Sequence, residues 1–258
     1  MRAHTTLGFQ PIFISSGQSF DMTLKAVFLE FRGVLVDDRA LQSQVMNNLL
    51  LEQNLCLKPQ EYEDLIKEED DRSCLSILLE RRGRTPTVEE LNQLLERRFD
   101  CTQEWLRENQ NSASGFLPDV KDFLFRVRSL SLPLVLITSS PLNEINAILT
   151  RENIAPYFDL VLAGNMLDCQ PIKPWAYTHA IDTLNQKYPD LNLSVQECLA
   201  VEPIYRNLEV ARALGLSVAA ISRYRPFHFL QRRADWIVDR LTDLDLERIN
   251  ASLTPGRF

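Results

Sequence analysis

The chain alternates short apolar runs with longer segments of helical period. Lys25 to Phe31 (KAVFLEF) is the first run, closed by Gly33, and similar runs recur at Leu132 to Thr138, Phe158 to Gly164, Cys198 to Glu202, Ser217 to Ser222 and Asp235 to Val238. Short continuous runs of this kind are strand candidates buried on both faces. From Leu134 onward they are separated by segments such as NEINAILTREN and AYTHAIDTLNQKY, whose apolar positions follow a helical period. This βαβ alternation predicts an α/β fold, a doubly wound parallel sheet with helices on both faces.

Residues 40–112 differ in character. They are rich in Leu, Glu, Gln and Arg at helical spacing and offer no strand candidate, so they read as a helical subdomain inserted after the first strand. The polar stretch Asn109 to Gly115 (NQNSASG) marks the return to the core. The expected organisation is thus an α/β core from 22–39 and 113–258, interrupted by the insertion. Residues 1–21 lack periodicity and read as a disordered tail, which makes Met22 a candidate start.

Composition narrows the function classes. Of 258 residues, 45% are hydrophobic, enough for a large core, and a net charge of -7 with interspersed signs offers no basic stripe for nucleic acid. No apolar run has the length of a membrane span. The cysteines Cys56, Cys74, Cys101, Cys169 and Cys198 form no CxxC pair, and with three histidines there is little from which to build a zinc cluster. They read as reduced, mostly buried thiols, and a cytoplasmic location is expected.

Candidate chemistry lies at the ends of the apolar runs. The segment FLEFRGVLVD, from Phe28 to Asp37, resembles the first motif of the haloacid-dehalogenase-like (HAD-like) phosphatases, in which two aspartates flank one residue ahead of Gly and a hydrophobic pair. The helical insertion directly after it, the later run ending in Thr138-Ser139, and Glu202 followed by LEVARALGL extend the resemblance over nearly the whole chain from Met22. The branch it is most similar to is that of β-phosphoglucomutase and the phosphoglycolate phosphatases. The resemblance implies a Rossmannoid core bearing a helical cap.

It also implies roles. In the family the first aspartate attacks a phosphoryl group, the second is the general acid and base, and carboxylates with a backbone carbonyl hold magnesium. Here those two positions hold Glu30 and Arg32. Glu30 keeps a carboxylate but moves it by about an ångström, a displacement that can cost on the order of 100-fold in rate. Arg32 cannot cycle a proton near neutral pH.

Thr138 matches the phosphate-binding hydroxyl of the second motif, with Ser139 beside it ahead of a helix N-terminus that favours anions; helix capping is the plainer role for the same pair. The third motif presents a lysine. An ungapped count back from Tyr177 puts Pro171 there and is the preferred alignment, whereas a two-residue shift restores Lys173-Pro174. The fourth motif retains Glu202 but has Pro203 in place of a second acid, a lost metal ligand.

These departures lead to the expectation of a catalytically degenerate HAD-like pseudo-phosphatase without cofactor, binding a phosphorylated small molecule or a protein partner. Arg32 is expected to replace the magnesium ion by pairing with Glu30 or Glu202. The alternatives are an active, magnesium-dependent phosphatase or phosphomutase using Glu30 and Lys173, and a structural subunit of an assembly. Asp70, Asp71 and Arg72 are expected on a solvated face of the insertion, and Tyr224, Phe227, His228 and Phe229 with Arg223 and Arg225 form either a packed loop or a partner surface.

Overall fold

The computed structural model describes residues 24–108, 115–164 and 172–253. The proposed tail, Met22, most of the Asn109 to Gly115 linker, Cys169 and Pro171 therefore lie outside the described residues.

All six apolar runs become strands: β1 (Ala26–Leu29), β2 (Leu134–Ile137), β3 (Leu160–Leu162), β4 (Cys198–Glu202), β5 (Ser217–Ile221) and β6 (Trp236–Val238). They form one parallel sheet in the order β3-β2-β1-β4-β5-β6. The apolar character of the runs follows from double-sided burial. Val27, Leu29, Leu134, Leu136, Leu199 and Val201 face a cluster built with the helices α5 (Val120–Ser129), α6 (Leu142–Arg151) and α10 (Leu246–Leu253). The intervening Ala26, Phe28, Val135, Ile137, Cys198 and Ala200 face α7 (Ile172–Lys187) and α8 (Tyr205–Ala213). Successive strand residues point to opposite faces, so both must be apolar when helices cover both.

Between β1 and α5 the described residues form four helices: α1 (Arg39–Glu52), α2 (Glu61–Leu65), α3 (Asp71–Glu80) and α4 (Val88–Glu108). They bury a third apolar cluster of their own, with Met46, Leu49, Leu50, Leu75, Leu78 and Leu79 at its centre. A short helix, α9 (Phe227–Leu230), follows β5. Among the described residues no helix is long and apolar enough to cross a membrane.

The strand order reverses at β1, because β2 and β3 lie to one side of it and β4, β5 and β6 to the other. The C-terminal ends of the strands beside such a reversal are the usual ligand position in sheets of this kind. Glu30, Arg32, Thr138 and Glu202 all lie at those ends.

Candidate functional site

β1 ends in Glu30, whose backbone N–H bonds the carbonyl of Val201 at 3.2 Å, so the ladder with β4 carries Glu30 to the level of Glu202. Both side chains are buried. Lys173, in the first turn of α7, enters between them: its Nζ is 2.8 Å from Glu30 Oε2 and 2.7 Å from Glu202 Oε1, and it donates to the carbonyl of Ile137 at 2.7 Å. Glu30 Oε1 accepts from the Phe31 N–H at 2.7 Å. Glu202 also accepts from the Tyr177 hydroxyl at 2.6 Å and from Asn207 Nδ2 at 3.1 Å.

Charge follows this geometry. Burial opposes the Lys173 cation, but Glu202 and Glu30 outweigh it and hold the ammonium's pKa above its ordinary value. Burial pushes the Glu202 carboxyl up, and the neighbouring Glu30 adds to that against the pull of Lys173. Two carboxylates sharing one ammonium give such a result, since only one is fully compensated.

Arg32 corrects an expectation. It pairs with neither Glu30 nor Glu202; the ion between them is Lys173. The Arg32 guanidinium is buried and turns to the insertion and to α6, with Nη1 2.5 Å from Asp71 Oδ2, Nη2 2.7 Å from Glu144 Oε1 and Nε 3.4 Å from Asp38 Oδ2. Burial opposes its charge, but Asp71, Glu144 and Asp38 together keep its pKa well above the ordinary arginine value.

Asp71 corrects a second expectation, because it is buried rather than solvated. It also accepts from the Tyr62 hydroxyl at 3.1 Å and pairs with Arg98 Nη2 at 3.1 Å. Burial raises its proton affinity, yet Arg32 and Arg98 overcome this and hold the carboxyl below its ordinary range. Arg98 in turn bonds Gln42, which donates to Asp38 Oδ2 at 2.7 Å. Burial, with Glu144 nearby, holds the Asp38 carboxyl above its ordinary range. Of the other two members of this charged run, Asp70 caps α3 by accepting from the Ser73 N–H at 2.8 Å, and Arg72 bonds Asn92 at the surface.

Thr138 is buried with its Oγ1 accepting from the Ser140 N–H at 3.1 Å, and Ser139 is half-buried. The N-cap of α6 is Pro141, and no side chain caps that helix. Pro203 packs on Gly33, where a Cβ would stand 2.8 Å from Pro203 Cγ. Tyr224 is buried under the same glycine, while Phe227 and Phe229 are exposed.

The sequence reading missed Tyr177, Asn207, Asp38, Glu144, Arg98 and Gln42. Tyr177 carried a signal, since it lies one helical turn after Lys173 on the same face of α7.

No family model matches the chain. It is 27% identical over 160 residues to a phosphoglycolate phosphatase of Neisseria meningitidis, an alignment covering 59% of this chain and 64% of that protein. It is 23% identical over 202 residues to protein CbbY of Rhodobacter capsulatus, covering 76% of this chain and 85% of the relative. Its fold matches a HAD hydrolase of family IA, variant 3, from Entamoeba histolytica with a TM-score of 0.73 at 15% identity, over 89% of this chain and 99% of that one. These likenesses in sequence and fold support a haloacid-dehalogenase-like (HAD-like) assignment.

Lys173 thus stands between Glu30 and Glu202, and Arg32 stands apart from both, paired with Asp71 and Glu144. The ungapped alignment preferred from the sequence puts Pro171 at the lysine position, and Pro171 lies outside the described residues. Among the described residues no group of three or more His, Cys, Asp or Glu is placed to hold a metal ion. The donor set that remains, Glu30 and Glu202, is hydrogen-bonded to an ammonium, and Pro203 has no side-chain oxygen to offer.

Proposed function

We propose that this protein is a catalytically degenerate HAD-like phosphatase that acts by binding a phosphorylated small molecule or a protein partner. The observation that carries this reading is Arg32. A general acid and base must release and recover a proton near neutral pH, and a guanidinium buried among Asp71, Glu144 and Asp38 does neither.

The electrostatics support the same reading. Magnesium requires near-octahedral oxygen ligation, and here the surviving carboxylates Glu30 and Glu202 are both engaged by Lys173 while Pro203 offers no side-chain oxygen. The helices of residues 40–112 are taken as the cap over the 22–39 and 113–258 core. Cys56, Cys74, Cys101 and Cys198 carry free thiols, which fits a reducing, cytoplasmic setting.

One observation favours a second reading, an active phosphomonoester hydrolase or phosphomutase. Lys173 touches the Glu30 carboxylate as a charge-balancing lysine would, and the relatives include a phosphoglycolate phosphatase. This reading requires Glu30 to act without an acid/base partner at the Arg32 position.

Titration calorimetry with magnesium chloride separates the two. The degenerate site predicts no saturable binding at millimolar magnesium, whereas a single site whose heat disappears in Glu202→Gln would overturn the proposal.

A further inference from the structure

The four residues Glu68, Glu69, Asp70 and Asp71 leave the helical insertion on the side that meets the core. Three of them pair with core arginines. Asp71 takes Arg32, from the loop after β1; Glu69 Oε2 is 2.7 Å from Nη1 of Arg206 at the start of α8; and Glu68 pairs with Arg225, between β5 and α9. The fourth, Asp70, caps α3 and so fixes the direction in which the run leaves that helix.

We infer that this acidic run and the three arginines form an ionic latch that holds the helical insertion closed over the C-terminal ends of β1, β4 and β5. Arginines that follow three different strands engage one four-residue segment, so the insertion is clamped at several points rather than hinged at one. The insertion also keeps an apolar cluster of its own, apart from these pairs. The run's function is to fix position.

The latch is graded. Arg206 is largely exposed and its pair with Glu69 is open to screening by salt, whereas Arg32 and Asp71 are both buried and shielded from it. Asp71 is further held from its own side by Tyr62 and Arg98, so an opening of the insertion would carry a fully bonded carboxylate away from Arg32. In this arrangement the Arg32 guanidinium is buried, with Nη1 on Asp71 and Nη2 on Glu144.

Hydrogen exchange of the full-length protein, read by mass spectrometry in wild type and Asp71→Asn, tests this without reference to activity, so it fails or holds independently of the proposed function. Loss of the charge at Asp71 is expected to speed exchange about tenfold or more in two places together, residues 31–38 and residues 66–70. Amides of α3 inside the insertion's apolar cluster and those of β1 are expected to stay protected. Unchanged exchange at both sides of the contact would overturn the latch, as would unravelling of α3 itself, because the pair would then serve the insertion's own fold.

Should Asp71→Asn not fold, wild type is compared at about 0.05 M and about 1 M sodium chloride. The graded latch predicts faster exchange at residues 66–69 and an unchanged rate at residues 31–38. Equal loosening of both, or of neither, contradicts it.

Discussion

The Lys173 ammonium stands 2.8 Å from the Glu30 carboxylate, across a gap that separates the first turn of α7 from the end of β1. The contact joins two elements 143 residues apart, by the difference of their numbers, and puts one positive charge against a pair of buried acids. Most of the site's behaviour follows from how that charge is shared.

Replacing Lys173 with Met removes the charge while keeping most of the side-chain volume. Glu30 and Glu202 then face each other buried and unpaired, and breaking a buried pair from one side costs about 3–5 kcal/mol. Urea denaturation at neutral pH is expected to report a loss of that size. Adding Glu202→Gln to Lys173→Met is expected to recover part of it, since one of the two uncompensated charges is gone; a double variant as unstable as the sum of the singles would contradict the shared arrangement.

The pH dependence has two limbs of defined sign. Lys173 binds its proton more tightly folded than unfolded, so its contribution is complete below about 10.4 and fades as pH rises through its higher folded pKa. Asp71 binds its proton less tightly folded, so its contribution is complete above about 3.9 and fades as pH falls through its lower folded pKa. The stability difference between wild type and Asp71→Asn is therefore expected to be flat near neutrality and to narrow in acid. A difference that widened on acidification would show that the sign is wrong.

Arg32→Met tests the second network. Glu144 loses its paired cation, Asp71 is left with Arg98 alone, and Asp38 loses the guanidinium 3.4 Å away. A destabilisation of about 3–5 kcal/mol is expected at neutral pH, measured by thermal or chemical unfolding. A change below about 1 kcal/mol, the range of exposed pairs, would mean that the network is open to solvent.

Gly33 adopts φ +76°, and a Cβ there would stand 2.8 Å from both Pro203 Cγ and Tyr224 Cζ. Gly33→Ala is expected to cost about 2 kcal/mol or more, from the left-handed backbone and the clash together. If the variant unfolds at the wild-type midpoint, Pro203 and Tyr224 do not pack on this loop.

The sheet was legible because strands covered on both faces are apolar at every position, and the six runs beginning with KAVFLEF stand out from their polar surroundings. Glu30, Arg32 and Glu202 were legible as strand-end residues for the same reason. Their partners were not. The choice between Lys173 and Pro171 turned on where a two-residue gap falls in the alignment, and a gap leaves no periodic trace. Asp71 was read as solvated because an acidic run on a helical segment usually is; its burial depends on the docking of the insertion against Arg32, a contact 39 residues away in the chain. Patterns along the sequence report which face of an element is covered, while ion pairs between elements depend on how those elements are placed.

The most direct test of a degenerate site is phosphate release by the purified protein from a generic phosphomonoester and a set of sugar phosphates, with and without magnesium, beside Glu30→Ala as the contamination control. The account predicts no turnover above that control under either condition. Magnesium-dependent turnover that Glu30→Ala abolishes would contradict it and make this chain a working phosphatase.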